Sequence, residues 1–488
     1  MADRRAFKSD VSFLEKISMG AIGTVTVLND LKKQGHLPIE LERGSTSFKI
    51  WKNIKIKRIR VPDILCIDCG KCVECRTKRK QEISMSHSQA DPERGWDYDL
   101  DDNDHVAFVV CGKKSDEPID WWPVGPVQYV LTRDLRESQR GGLAVLSKPK
   151  GAEEGFEIRM IWPSATAKAA GIISAIDDNR IQYKRRSDNR TISVRLTKKG
   201  KRMTPLFKIG NKVVENQVFA SVVPVGMGFS CDKKADLEHY VSLLSSASIS
   251  KRYTATKALG FFDSPQVRES LGRRLEDAGE HVYVRLEAAV GLARMGDNRG
   301  FGFMENCLGD EYLQNRLETV IVLGEIDRAS SSKILINTLL NKSQHPEIRA
   351  GAAWSIGELR NKAGLEALIE SFGEVDEAIR IEAARALAKL AAKFTPALID
   401  EFRKADPGEL PGISWALSKG GRSSVSDMLT ALVDDNTRRW VAYVIGTQEQ
   451  EKYINEIEEL RKRDPEVYFA VTVLWNAMKS WIWDLEEY

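Results

Sequence analysis

The second half of the chain repeats itself. The run Arg252-Tyr253-Thr254-Ala255-Thr256-Lys257-Ala258-Leu259-Gly260 is echoed by runs opening at Arg285, Arg316, Arg349 and Arg380, at steps of 33, 31, 33 and 31 residues. Weaker copies open at Pro411, Arg438 and Glu466. Each copy places small Ala or Gly where helices approach, follows them with Leu or Ile, and closes on Gly or Asp. A unit of this length is a helix pair, which cannot bury its apolar face alone and must stack on its neighbours. The repeat predicts an all-α superhelix with an extended concave surface over residues 232–488.

These copies resemble HEAT repeats, and the resemblance implies a solenoid that binds a protein partner. The closing run SWIWDLEEY, residues 480–488, is expected to be a terminal cap or a partner-binding tail.

Charge divides at the same point. Residues 1–231 carry a net +11 and residues 232–488 a net −8, which together make the +3 of the chain. The basic half suits a polyanion such as nucleic acid and the acidic half does not; a solvated mixed-charge surface is the bland alternative. Seven cysteines, four of them between positions 66 and 75, do not make a secreted disulfide framework. The N-terminal run lacks a signal-peptide core, and the longest apolar stretch, Met19–Leu28, is too short to span a bilayer. A cytoplasmic protein with no membrane segment is expected.

Within the basic half, residues 10–34 have helical spacing through Phe13, Leu14, Ile17, Ala21, Val25 and Leu28, with Gly35 as the stop. Gly20 and Gly23 suggest close packing on a sheet. The basic run SFKIWKNIKIKRIRV predicts a strand with Ile50, Ile54, Ile56 and Ile59 facing a core. Pro62–Lys78 reads as two strands joined at Asp68–Lys71, where Gly70 is free to take positive φ. Period two then puts Cys72, Glu74, Arg76 and Lys78 on one face and Val73, Cys75 and Thr77 on the other. His105–Cys111 is a further buried strand; neither His87 nor His105 is expected to be catalytic.

Asp63 opens the first of these strands, and Glu74 follows after ten intervening residues, with basic side chains two and four positions on. Carboxylate oxygens are what a hard divalent cation takes. Phosphodiester cleavage needs a metal-activated water and positive charge near the developing anion. The string "PD", ten residues, then "E-x-basic" resembles the PD-(D/E)xK nuclease core. That resemblance implies an α/β restriction-endonuclease-like domain over residues 1–118. It implies Mg²⁺ or Mn²⁺ held by Asp63, Glu74 and a third carboxylate, Glu40 or Glu15, with Arg76 and Lys78 in catalytic positions. Arg76 stands where the family has Lys. Arginine cannot be deprotonated, so it can stabilise charge but not act as a base, and Lys78 on the same face is the substitute. Lys55, Lys57 and Arg60 flank the carboxylates and are expected to contact phosphates. The alternative is an ordinary hairpin with scattered charges.

The same stretch carries Cys66, Cys69, Cys72 and Cys75 at C-x2-C-x2-C-x2-C. Four thiols this close can bind tetrahedral Zn²⁺. "CIDCGKC" also resembles the start of a ferredoxin iron–sulfur loop, but the fourth cysteine comes one residue early and no proline follows. Strand alternation separates Cys72 from Cys75, so buried apolar thiols are the simpler reading. A Cys66/Cys69 knuckle at the turn is easier to build but needs two more ligands.

Residues 119–231 read as short strands separated by Gly, Asn and Asp, which predicts a small all-β barrel or sandwich. Lys184, Arg185 and Arg186 lie in a basic cluster expected to hold nucleic acid, DNA first; a solubilising face is the alternative. The three domains together imply metal-dependent nucleic-acid cleavage with a solenoid that recruits a protein, an arrangement similar to prokaryotic defence or DNA-processing proteins. The alternative is a non-catalytic DNA-binding scaffold with a degenerate nuclease core.

Overall fold

The computed structural model describes residues 11–47, 49, 51, 53–86, 93, 95–147, 157–229, 231, 234–421, 423–432, 434–448 and 450–486. They fall into two compact units, Met1–Ile50 with Arg58–Val267, and Trp51–Lys57 with Arg268–Tyr488.

The first unit is strand-rich. Helix α1 (Val11–Lys33) is followed by β1 (Pro38–Glu40), β2 (Ile64–Cys66), β3 (Cys72–Lys78), β4 (Ile83–Ser86), β5 (His105–Lys113), β6 (Trp121–Pro123), β7 (Gln128–Leu131) and α2 (Thr132–Arg140). The main sheet runs β1-β2-β3-β5-β6, with β7 also on β5. The first three strands are an antiparallel meander, and β3 then pairs parallel with β5 from Val73↔His105 to Lys78↔Val110. Val27 and Leu31 of α1 bury against Ile64, Val73, Ala107 and Val109 of the sheet. Gly23 makes that approach possible. A Cβ there would stand 1.6 Å from Thr77 Oγ1, so any larger residue would lift the helix off β3. Gly70 turns the β2–β3 hairpin at φ +70°, a conformation other residues adopt at a cost.

Strands β8 (Val145–Ser147) and β9 (Glu157–Ile161) form a small sheet with β4. Then β10 (Ser164–Thr166), β11 (Gly171–Ile176), β12 (Arg180–Arg185) and β13 (Thr191–Arg195) join the short strands Thr204–Pro205, Lys212–Val213 and Val218–Ser221 in two further sheets. These sheets close over Ile173, Ile181, Tyr183, Leu196, Met203 and Phe219. Helices α3 (Leu237–Leu243) and α4 (Ile249–Leu259) belong to the same unit.

The strand expected through residues 47–61 does not form among the described residues. Trp51–Lys57 belongs instead to the second unit. There the Asn53 N–H donates to both carboxylate oxygens of Glu347, at 3.1 and 2.9 Å. Trp51 meets Trp354 edge-on, with centroids 6.1 Å apart. A side-chain carboxylate thus takes a backbone donor that a ladder would have used. Ile54 is buried, Ile56 and Ile59 are half-buried, and Ile50 lies outside the described residues.

The second unit is helical: α5 (Pro265–Glu276), α6 (Val282–Arg294), α7 (Asn298–Cys307), α8 (Leu313–Leu323), α9 (Ala329–Leu340), α10 (Pro346–Leu359), and onward to Pro465–Glu486. The arginine that opens each copy has an architectural role. Arg285 Nε donates to the Leu275 carbonyl at 2.9 Å, and Arg349 Nε to the Leu339 carbonyl at 2.7 Å. Arg380 reaches the Glu374 and Val375 carbonyls at 2.6 and 2.7 Å. The last carbonyls of a helix have no intrahelical partner and carry the negative end of its dipole. At Arg285 and Arg349 a guanidinium from the next helix satisfies them and stitches the two helices together, whereas Arg380 braces the loop that leads into its own helix.

Candidate carboxylate cleft

Strand β3 half-exposes Glu74, Arg76 and Lys78 and buries Val73, Cys75 and Thr77. The three half-exposed side chains line a cleft of about 400 Å³ with Glu42, Arg58 and Asp63, and with Lys16, Gly20 and Thr24 of α1. Asp63 is the buried anchor. Its carboxylate accepts the Cys75 N–H at 2.6 Å. Its backbone carbonyl accepts the N–H of Leu41 at 2.8 Å and of Glu42 at 3.3 Å. One residue therefore ties the chain leaving β1 to β3.

The third carboxylate is Glu42, not the Glu40 or Glu15 expected from sequence. Glu40 accepts from the N–H and the hydroxyl of Thr46, both at 2.9 Å. Glu15 is ion-paired with Lys113. The chain folds back onto Asp63 two residues beyond Glu40, and that carries Glu42 into the cleft. Both glutamates lie in the run HLPIELERG with the same strand parity, so the pattern offered Glu42 as readily as Glu40.

Burial raises the Glu42 carboxyl to about 7, with the nearby Glu74 adding to the rise; Arg58 pulls the other way. Burial, then Glu74 and Glu42, push Asp63 well above the usual carboxylate range. Carboxyls that hold protons because they are buried and crowd one another are hard oxygen donors short of positive charge. A Mg²⁺-like ion fits that donor set. Arg76 competes with it: the guanidinium lies 2.6 Å from the Glu74 carboxylate. Among the described residues no three Asp, Glu, His or Cys side chains are gathered as a finished metal shell. A cation would have to draw Glu74 away from Arg76.

The four clustered cysteines do not share a centre. Cys66 and Cys69 meet at the hairpin turn. Cys72 lies by Asp104, Lys251 and Tyr240. Cys75 reaches the Thr24 hydroxyl beside Asp63 and Glu74. The alternation of β3 is the reason, and the four-thiol zinc set that the spacing allowed is not assembled.

The basic residues are dispersed. Lys55 and Lys57 are exposed on the segment of the second unit, whereas Arg60 belongs to the first. Arg60 donates to the Gly95 carbonyl at 3.2 Å and lies over Tyr98 at 5.6 Å. On β12 Lys184 is exposed, Arg185 is ion-paired with Asp188, and Arg186 just beyond is exposed. His105 is buried near Tyr129 and Phe229. Burial holds it neutral, at about 3, so its role is packing. His87 lies outside the described residues.

The C-terminal region carries HEAT repeats. A family model described as HEAT repeats matches residues 302–388 and 332–410. No curated relative matches the chain. Among solved structures, the CpcE–CpcF complex of phycocyanin lyase from Nostoc sp. PCC7120 is 17% identical over 44% of this chain and 96% of that one, with a TM-score of 0.25. The archaeal HEAT-like repeats protein from Thermococcus onnurineus NA1 is 16% identical over 45% and 99%, also at 0.25. The karyopherin Kap121p bound to the extreme C-terminus of the phosphatase Cdc14p is 13% identical over 43% and 29%, at 0.30. No helix among the described residues is long and apolar enough to cross a membrane.

Proposed function

We propose that the chain is a HEAT-repeat scaffold for a protein partner, and that its N-terminal unit carries a divalent-cation-dependent phosphodiester-hydrolysing centre. The observation that carries the second part is the convergence of Glu42, Asp63 and Glu74 on one cleft with Arg58, Arg76 and Lys78. Glu42, Asp63 and Glu74 would hold Mg²⁺ or Mn²⁺. The bound ion would supply a water of lowered pKa and neutralise charge on the phosphate. Arg76 and Arg58 stabilise negative charge on the phosphoryl oxygens, since both are permanently cationic. Lys78 is the one basic side chain on this strand face able to exchange a proton. The net +11 of residues 1–231 favours a nucleic-acid substrate, DNA first, and the net −8 of the remainder favours a protein for the solenoid.

The test is cleavage of plasmid, single-stranded DNA and RNA with Mg²⁺ or Mn²⁺, beside Glu74→Ala. Cleavage by wild type and none by the variant is the expected result. Equal cleavage by both would overturn the assignment of Glu74. A second reading, a non-catalytic binding module, is favoured by the Arg76–Glu74 ion pair and by arginine at the family's lysine position. Retained DNA binding with no cation bound in calorimetry would select it.

A further inference from the structure

The β2–β3 turn brings the Cys66 and Cys69 sulfurs together, and later segments of the first unit bring Cys231 and His239 near it. Three observations meet there. The Cys66 sulfur accepts from the Cys69 side chain and from the backbone N–H groups of Leu37, Cys69 and Asp68. A turn whose first sulfur is surrounded by amide donors stabilises a thiolate. Cys69 also contacts the side chain of Cys231, which is 162 residues further along the chain. His239, in the first turns of α3, holds its Nε2 within 2.9 Å of where a Gly70 Cβ would be. The imidazole thus lies directly over the turn, whose φ of +70° at Gly70 already favours glycine. The chain after Cys231 is pinned to the same turn, since the Ala235 N–H donates to the Asp68 carbonyl at 2.7 Å and the Tyr240 hydroxyl to the Ile67 carbonyl at 2.7 Å.

We propose that Cys66, Cys69, Cys231 and His239, which are not gathered as a finished metal shell in this structure, close around a structural zinc ion. Thiolates and a neutral imidazole are the donors a closed tetrahedral Zn²⁺ centre takes. The three thiols now hydrogen-bond in a chain through Cys69. Binding replaces those S–H contacts with bonds to one ion and releases the thiol protons to solvent. Cys72 and Cys75 are excluded because β3 directs them to Asp104 and to Thr24. The ion would tie α3 to the turn between β2, which Asp63 directly precedes, and β3, which carries Glu74.

The test is metal content of the full chain by mass spectrometry, then Co²⁺ titration of chelator-treated protein. One zinc per chain and a thiolate-to-cobalt charge-transfer band are expected. Cys69→Ser and Cys231→Ser should lose both, His239→Gln should weaken Co²⁺ binding, and Cys72→Ala and Cys75→Ala should keep one ion. Folded wild type that shows neither zinc nor a thiolate–cobalt band overturns the site. Loss in Cys72→Ala with retention in Cys231→Ser, both folded by circular dichroism, overturns the ligand set. Because the readouts involve no cleavage, they stand apart from the carboxylate cleft.

Discussion

Arg76 and Glu74, two residues apart on one face of β3, form an ion pair at 2.6 Å with both side chains mostly shielded from water, 15% and 17% exposed. The strand period that brings both into the cleft also sets them side by side. Glu74 therefore divides its charge between a guanidinium and any cation that enters.

It follows that Arg76→Ala should tighten Mn²⁺ binding, because Glu74 is freed, while weakening cleavage, because a phosphate-facing cation is gone. A partly shielded charge-assisted pair is worth about 1–2 kcal/mol, so binding should gain about tenfold. Isothermal titration calorimetry reads the first effect and single-turnover cleavage the second. Unchanged or weaker Mn²⁺ binding would show that Arg76 does not compete for Glu74.

The crowded carboxyls predict an inverted pH dependence. Glu42 is raised to about 7 and Asp63 is raised as well, so the folded state binds more protons than the unfolded chain. Stability from these groups is full below about pH 4, the range of free carboxyls; the Glu42 share is lost as pH rises through about 7 and the Asp63 share as pH rises through its own raised range. With chelator present, Tm should fall between pH 5.5 and pH 8. Added Mg²⁺ should raise Tm more at pH 8, where fewer protons must be displaced. An increment that does not grow with pH would separate the ion from these carboxylates.

How much of this was legible follows from which forces are local. The repeat arginines and small residues recur at fixed steps, so the solenoid could be read directly; each unit contacts mainly its neighbours. Alternation in β3 is equally local, and it placed Glu74, Arg76 and Lys78 on one face. Glu42 was missed because its position depends on Leu41 and Glu42 donating to the Asp63 carbonyl, a contact between segments some twenty residues apart. The strand expected near Asn53 failed for the same reason, as Glu347 lies 294 residues away. Cys231 and His239 carry no local spacing signal at all.

The arginine stitching of the solenoid can be tested at Arg349, which is 5% exposed. It donates to the Leu339 carbonyl and pairs with Glu374 at 3.0 and 2.6 Å. Arg349→Ala leaves a helix-end carbonyl and a carboxylate without this donor, at a cost of about 2–4 kcal/mol. Urea unfolding should show it, and hydrogen exchange should place the loosening in α9 and α10. A loss under about 0.5 kcal/mol, the range of an ordinary surface substitution, would mean the guanidinium is ornamental.

Two glycines of α7 give opposite expectations within one helix. At Gly300 a Cβ would stand 2.3 Å from the Ala289 carbonyl oxygen and 2.9 Å from the Ala293 nitrogen. These are backbone atoms of α6 and cannot rotate aside, so Gly300→Ala must push the two helices apart. Overpacking of this kind costs about 1–3 kcal/mol. At Gly302 nothing lies within 4 Å, and alanine there should gain up to about 1 kcal/mol from helix propensity. Thermal unfolding of the two variants side by side should show opposite shifts in Tm. Equal shifts would mean that the α6–α7 contact is looser than these positions require.

The exposed pair on the β-rich part of the first unit separates nucleic-acid binding from general basicity. Lys184 and Arg186 face solvent, whereas Arg185 is held by Asp188. A phosphate contact releases counterions, so each one steepens the fall of log K against log salt by about 0.9 on duplex DNA. Lys184→Glu with Arg186→Glu should weaken duplex binding at every sequence tested and reduce that slope by about 2. Arg185→Gln should change the slope less, since its charge is already partnered. Fluorescence anisotropy across a salt series reads all three. A slope unchanged in the double variant would assign these residues to solubility and leave any polyanion contact to the cations of the carboxylate cleft, among them Lys16, Arg58, Arg76 and Lys78.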